Sequence, residues 1–352
     1  MTDTDSTKLH EVQTLLKSRK TEDRIRAVHR MARLPEKARM PLLLDALRDK
    51  SNYVASLAAE ALGECADLSA AAIMAERFLY FSEDGPKRDP GCHIRASLAF
   101  AFGRLEYLGA TEALRVGIRT VQIEPVGGVP FDTGAHLRAN CALAMAQTST
   151  PEALRDISLL LFDISGNALG GQDLSKAAQV KVEPRKAAAQ ALARLGDRAG
   201  LLPLTIKLTH PGAEVPEVLQ ECMQAVVDLE DPRALELLTP YLKHHDPALA
   251  AYAALMIART RAPEAPRLLY EATENLLGEA LRAVVLALSA LRGEEGRALL
   301  SLLVKNERTA VRLAVVEALA DSYDAGDRAC LEALTKDDSQ KVRDAAQRAL
   351  NG

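Results

Sequence analysis

Apolar residues recur three and four positions apart along most of this chain, the pattern of helices that each bury one face. Residues 187–195 and 311–319 show it cleanly, with alanine, valine and leucine in the apolar positions. The helical stretches come in pairs: a first helix, a turn, then a second helix that starts near a recurring phrase. The phrase sets an acidic or small residue before an aliphatic residue, a basic residue and alanine or leucine. It reads Glu22-Asp23-Arg24-Ile25-Arg26-Ala27, His93-Ile94-Arg95-Ala96, His136-Leu137-Arg138-Ala139, Arg185-Lys186-Ala187, Leu281-Arg282-Ala283, Val311-Arg312-Leu313 and Val342-Arg343-Asp344-Ala345. Arg282 and Arg312 are 30 residues apart, and Arg312 and Arg343 are 31. An interval of that length holding two helices predicts an all-α, right-handed α-solenoid of about ten helical hairpins. The opening pairs fall at residues 9–19 with 24–34 and 35–48 with 52–62, and the closing pair at 328–335 with 341–350. Continuous repetition predicts one domain over residues 1–352.

Punctuation agrees with this reading. Asp89-Pro90, Glu183-Pro184, Asp246-Pro247 and Asp338-Ser339 carry helix-start chemistry, a side-chain oxygen for free N–H groups and, in three of them, a proline at the first helical position. Gly63, Gly103, Gly196 and Gly293 are expected at or near helix ends. The run Asp338-Ser-Gln-Lys-Val342-Arg343-Asp-Ala345-Ala346-Gln-Arg-Ala349-Leu350, and Val311-Arg312-Leu-Ala314-Val-Val-Glu-Ala318-Leu319, resemble HEAT repeats. The form is the short, armadillo-like bacterial one also found in phycobilisome-lyase HEAT-like proteins. The resemblance covers nearly the whole chain. It implies that the recurring arginine, as at Arg282, Arg312 and Arg343, pairs with an acid of a neighbouring repeat in a structural ladder. Such arrays serve many unrelated tasks, so the resemblance is specific for fold and nearly silent on function.

Composition narrows the partners. Hydrophobic residues make up 48%, aromatics only 4%, and tryptophan is absent, so the core is built from alanine, leucine and valine. A formal net charge of −4 gives no global field for nucleic acid or an acidic membrane surface. Residues 8–50 are the local exception, with 12 Lys and Arg against 6 Asp and Glu. They read as a solvated end cap or, alternatively, a docking patch for nucleic acid. Five scattered cysteines without a CxxC pair read as free thiols in a reducing compartment. The polar start MTDTDSTKLHE is unlike a signal peptide, and no apolar run approaches the ~20 residues of a membrane span. These features predict a cytoplasmic protein.

The repeat is broken in one region. Val54 to Ile94 is 40 residues, Ile94 to Leu137 is 43 and Leu137 to Arg185 is 48. The excess lies in enlarged loops at 82–91, 122–134 and 163–183. Turns between the two helices of successive hairpins fall along one edge, so the three loops should be neighbours and mark a binding face. Neutral insertion at tolerant loop tips is the alternative. Two of these loops end in the same words, D-x-G-x-H-aliphatic-R-A. This nominates Asp89, His93, Arg95, Asp132, His136 and Arg138 as a site for an anion, a carboxylate or a partner. The competing reading makes the two aspartates plain helix caps, the arginines ladder members and the histidines polar helix-start residues. Asp246-Pro247, which opens a helix in the same way without a histidine, supports it.

Catalytic and metal chemistry find little support. No third ligand accompanies the Asp–His spacing, and His244 and His245, adjacent at the end of a first helix, make a poor chelate. HEAT-type deoxyhypusine hydroxylase uses repeated His-Glu pairs, whereas only His10-Glu11 occurs here. HEAT-like alkylpurine DNA glycosylases need aromatics and a basic face. A bilin-lyase role rests on similarity of the repeat alone. There is no Walker loop and no GxSxG elbow, and Gly127-Gly128 and Gly170-Gly171 read as loop flexibility because no strand precedes them. The expectation is a non-catalytic scaffold or adaptor without metal or cofactor, contacting a protein partner through its concave surface and loop edge. The alternative is a small-ligand-binding or lyase-like protein that uses the His93/His136 region.

Overall fold

The computed structural model describes residues 3–65, 67–150, 152–164, 181–291, 293–320 and 324–351. Two compact units divide the chain, Met1–Pro203 and Leu204–Gly352. The described residues form 21 α-helices and a single two-stranded sheet. In the first unit the helical hairpins are α1 (Asp3–Leu16) with α2 (Thr21–Met31) and α3 (Glu36–Ala46) with α4 (Asn52–Glu64). They continue with α5 (Ala71–Glu83), the single turn α6 (Gly85–Arg88) and α7 (His93–Arg104). Next come α8 (Thr111–Gly117), the strands β1 (Ile123–Val126) and β2 (Val129–Asp132), and α9 (Ala135–Thr148). The unit closes on α10 (Ala153–Leu160) and α11 (Glu183–Leu195).

The unit boundary falls inside α12 (Leu201–Thr209), which pairs in sequence with α13 (Pro216–Asp228). The second unit continues with α14 (Ala234–Leu238) and α15 (Pro247–Thr260), then α16 (Ala265–Ala272) and α17 (Gly278–Ala290). It ends with α18 (Glu294–Leu303) and α19 (Thr309–Leu319), then α20 (Ala325–Leu334) and α21 (Gln340–Asn351). This is the helical-repeat solenoid the spacing predicts.

Within each unit the second helices stack in order, α2 on α4 on α7 on α9 on α11, and α13 on α15 on α17 on α19 on α21. Small side chains make that stacking close. Gly63, expected to end α4, lies inside it, and a Cβ there would stand 2.7 Å from the Ala101 Cβ of α7. Gly103 plays the same part between α7 and α9, against Ala144. Gly196 does cap α11 at φ 65°, whereas Gly293 precedes α18 in extended geometry. Helix α9 is buried on nearly every side, because α7, α8, α10 and α11 all pack against it.

The arginine ladder is real, with corrected members. Arg24 Nε meets Asp49 Oδ2 at 2.7 Å, Arg138 Nε meets Asp163 Oδ2 at 2.9 Å, and Arg312 Nε meets Asp337 Oδ2 at 2.6 Å. Each pair is 25 residues apart. Asp49 and Asp337 also accept from the backbone N–H of Ser51 and Ser339, so one carboxylate caps its own turn and holds the previous hairpin's arginine. The cap before α21 is therefore Asp337 rather than Asp338. The other end of each guanidinium donates to backbone carbonyls before its own helix, Ser18 and Arg19 for Arg24, Asn306 and Glu307 for Arg312.

Arg26 and Arg282 lie outside this ladder, and Arg343, expected to pair with an acid, donates instead to the Asp337 and Asp338 carbonyls and to Gln340. Arg282 is the fifth residue of α17 while Arg312 is the fourth of α19, and one residue turns a helical side chain by about 100°. Arg282 is accordingly exposed and, among the described residues, reaches Glu317 at 3.5 Å. Arg308 takes over, donating to the carbonyls of Thr273, Glu274 and Leu276.

The enlarged loops are built rather than slack. The first continues α5 and adds α6. The second is a β-hairpin: Ile123 pairs with Asp132, Glu124 with Phe131, Pro125 with Pro130 and Val126 with Val129. Gly127 and Gly128 turn it at φ 59° and 84°, the doubly positive turn that matches strand twist. A strand thus precedes Gly127-Gly128, contrary to expectation. Of the third loop, residues 165–180 lie outside the described residues, as does the Gly170-Gly171 pair.

Candidate functional site

The β-hairpin is fastened to the start of α7 by a buried polar network. Asp89, fully buried, caps α7 through the N–H groups of Ile94 at 3.0 Å and Arg95 at 3.1 Å. It reaches over a tight turn in which Gly91 (φ 77°) and Cys92 (φ 58°) are both left-handed. Arg95, 1% exposed, gives Nε to Asp89 Oδ2 at 3.0 Å and Nη2 to Gln122 Oε1 at 2.6 Å. Position 120, where the 25-residue spacing would set an aspartate, is threonine, and Gln122 takes that place. Gln122 Nε2 donates to the Asp89 carbonyl and, at 3.0 Å, to Glu124 Oε2. Glu124 Oε2 also accepts from the Gly91 N–H at 2.8 Å and from the Thr133 hydroxyl. Burial raises the Glu124 carboxyl, but those three donors and the Arg95 charge outweigh it and hold it below the usual glutamate value. Burial pushes the Cys92 thiol up to about 11.

The next hairpin repeats the device. Asp132 Oδ1 accepts from the Gly134 N–H at 3.0 Å, and Asp132 Oδ2 holds Arg138 Nη2 at 2.7 Å. Arg138, 2% exposed, also binds Asp163 and the Thr120 carbonyl. Burial disfavours its charge, yet Asp132 and Asp163 more than offset this and raise its basicity.

Of the six nominated residues, four are therefore interior. Asp89 and Asp132 cap helix starts, and Arg95 and Arg138 are spent on them, so the guanidiniums do not face a ligand. His93 and His136 are exposed and share the wall of one cleft of about 630 Å³. The β-hairpin forms another wall with Glu124, Val126 and Phe131, and Lys181 and Glu183 at the start of α11 close a third side. The His93 ring lies back against Gly91, so close that a Cβ there would meet its Nε2 at 2.5 Å. Lys181 Nζ sits 3.9 Å from the centre of the Phe131 ring. The first two loops thus touch directly, and the end of the third reaches the second.

Gln122, Glu124, Phe131, Thr133 and Lys181 went unnoticed in the sequence. The signal for the first four was Ile-Glu-Pro-Val and Val-Pro-Phe-Asp flanking a Gly-Gly pair, a two-residue β-hairpin. Other candidates are weaker. In the second unit a groove of about 590 Å³ is lined by Asp228, Asp231 and Arg259, which are paired, Arg259 with Asp228 at 3.1 Å and Asp231 with Arg233 at 3.3 Å, and by the exposed Glu230 and Arg261. His244 and His245 are not on a helix as expected. They follow a short 3₁₀ turn with ring centres 4.2 Å apart, and His244 Nδ1 accepts from the Asp246 N–H at 3.1 Å. In the basic amino-terminal segment, Arg24, Arg26 and Arg30 are paired with Asp49, Asp23 and Glu11. Among the described residues no three His, Cys, Asp or Glu side chains converge as a metal site requires, and no helix is long and apolar enough to cross a membrane.

No protein-family model and no curated protein matches this sequence. Solved structures similar to it include human deoxyhypusine hydroxylase in complex with glycerol, 16% identical with a TM-score of 0.33 over 82% of this chain and 96% of that one. The complex of CpcE and CpcF of phycocyanin lyase from Nostoc sp. is also 16% identical, with a TM-score of 0.36 over 68% and 93%. Kap121p bound to Ste12p is 12% identical, with a TM-score of 0.48 over 98% of this chain and 43% of Kap121p. Likeness of this strength says nothing about what the chain binds.

Proposed function

We propose that this chain is a HEAT-like, non-catalytic scaffold that grips a segment of a partner protein in the cleft between the β-hairpin and the starts of α7, α9 and α11. The observation that carries this reading is a rigidly fastened hairpin with an apolar exterior. Val126 and Val129, paired across the end of the hairpin, are each 53% exposed, and Val126 lines the cleft. Clustered exposed apolar side chains mark interaction sites. The network through Asp89, Arg95, Gln122 and Glu124 holds the hairpin in place before binding, which lowers the ordering cost of association. Strand addition is not the mode, because Pro125 and Pro130 lie opposite each other and offer no N–H to an added strand. Contact through side chains is what this geometry supports. Five unpaired cysteines, four of them buried, support a reducing, cytoplasmic setting.

The test compares wild type, the double variant Val126→Asp/Val129→Asp, and Leu202→Asp, which alters an exposed leucine of α12. Each is used to capture partners from the source lysate, and the captured protein is then purified and its binding measured directly. Wild type and Leu202→Asp should bind alike, while the hairpin variant should bind at least tenfold more weakly. Equal affinity across all three would overturn the proposal. The cleft volume, inside the range of about 300–1,000 Å³ common for small-molecule sites, favours a second reading. A small molecule that co-purifies with wild type but not with Phe131→Ala, together with partner capture that ignores the β-hairpin, would establish that reading instead.

A further inference from the structure

We infer that the segment held in this cleft is acidic and apolar together: a carboxylate-bearing residue beside a leucine-like one. The inference rests on the partner-segment reading above and adds the chemistry of the segment. The groups around the cleft divide into those already satisfied and those with capacity left. Glu124 takes three donors, Asp132 holds Arg138, and Asp89 beneath them holds Arg95. What remains is the Lys181 ammonium and two imidazoles beside the Glu183 carboxylate and Glu124 Oε1, since all three Glu124 donors described go to Oε2. Lys181 is half-buried, and no carboxylate among the described residues pairs with its ammonium, which rests on the Phe131 ring. His93 and His136 are exposed on the same wall and offer ring N–H groups. Glu183, exposed at the rim, is the one cleft carboxylate with no described hydrogen bond.

A half-buried ammonium without a counter-charge favours an incoming anion, and partial desolvation strengthens that pairing relative to open water. A basic segment would instead meet Lys181 as a like charge. The walls select the rest of the ligand. Val126, Pro125 and Phe131 on the β-hairpin add apolar surface to the same cleft. A residue pair in which one side chain is a carboxylate and the next is aliphatic satisfies both features at once.

The test uses the acetylated, amidated peptide Leu-Glu-Leu-Glu-Leu, its glutamine and lysine analogues, and hexanoate as a small carboxylate. Binding to the full chain is followed by NMR of the histidine ring signals. The glutamate peptide should shift the signals of His93 and His136, leave those of His29 and His210 in place, and bind at least tenfold tighter than the glutamine peptide. The lysine peptide should not bind. Lys181→Met should erase the preference for glutamate, and Lys181→Arg should keep it. Three outcomes overturn the inference: equal binding of the three peptides, hexanoate as tight as the peptide, or no shift of either ring at millimolar peptide. Equal binding of the glutamate and glutamine peptides that disappears in Val126→Asp/Val129→Asp overturns the charge preference while leaving the partner-segment reading standing. Partner capture that ignores the β-hairpin overturns that reading itself.

Discussion

Replacing Arg138 by methionine should be among the most costly single changes in the first unit. Arg138 is 2% exposed and makes four charge-assisted or carbonyl bonds, at 2.7 and 3.3 Å to Asp132, 2.9 Å to Asp163 and 2.9 Å to the Thr120 carbonyl. Methionine keeps much of the volume but strands the Asp132 carboxylate, itself 2% exposed, with the Gly134 N–H as its described donor. Removing one partner of a buried ion pair costs about 3–5 kcal/mol, because the remaining charge stays out of water. For a body of this size each kcal/mol moves the melting temperature by about 2–4 °C, so the variant should melt about 6–20 °C lower. Adding Asp132→Asn removes the stranded charge and keeps the oxygen that accepts from Gly134. The double variant should therefore be more stable than Arg138→Met alone. Far-UV circular dichroism melts and urea titrations at low and high salt read both effects, and a buried pair should respond little to salt. A loss below about 1 kcal/mol, as for exposed pairs, or a double variant less stable than the single one, would refute the buried-ladder account.

Other consequences follow from the same geometry. Gly63→Ala drives a methyl group to 2.7 Å from the Ala101 Cβ and should cost about 1–3 kcal/mol by overpacking, part of it recovered in Gly63→Ala/Ala101→Gly, as read by melts. Gly128→Ala meets open space, so its cost of about 1–2 kcal/mol should come from the positive φ alone and should not be rescued by trimming neighbours. The Glu124 carboxyl is held below its ordinary value of 4.5, so its contribution is present above that pH and lost as pH falls through the lower folded value. Acid melts of wild type should therefore decline more steeply below about pH 4.5 than those of Glu124→Gln. In native alkylation followed by peptide mass spectrometry, Cys330 should react first, while Cys141 and Cys222, both fully buried, should react only after unfolding.

The helical pairs were legible because their cause is periodic: alanine and leucine at helical spacing, a proline or aspartate at the start, an arginine that returns. The ladder was half legible. The repeating arginine is visible in the sequence, but Arg282 and Arg26 match the local wording while sitting one or two positions out of phase with the helix start, and phase decides which way a side chain points. The sequence allows Asp89 and Asp132 to be either caps or ligand groups, and geometry selects the caps, because each carboxylate lies buried between backbone N–H groups and a guanidinium. The β-hairpin was missed through attention to helical period, although Gly127-Gly128 between two short alternating runs carried its signature. Glu124 and Lys181 could not be found from spacing. Their roles depend on the hairpin folding back over α7 and on the start of α11 reaching Phe131, contacts between residues 33 and 50 positions apart.

Amide hydrogen exchange of the chain with its captured partner, against the chain alone, tests most directly whether the β-hairpin cleft is where binding occurs. Protection should concentrate in peptides spanning residues 89–96 and 122–136, with little change across α15 to α21. Slowed exchange confined to residues 204–352, with the β-hairpin exchanging as fast as in the free chain, would contradict the account.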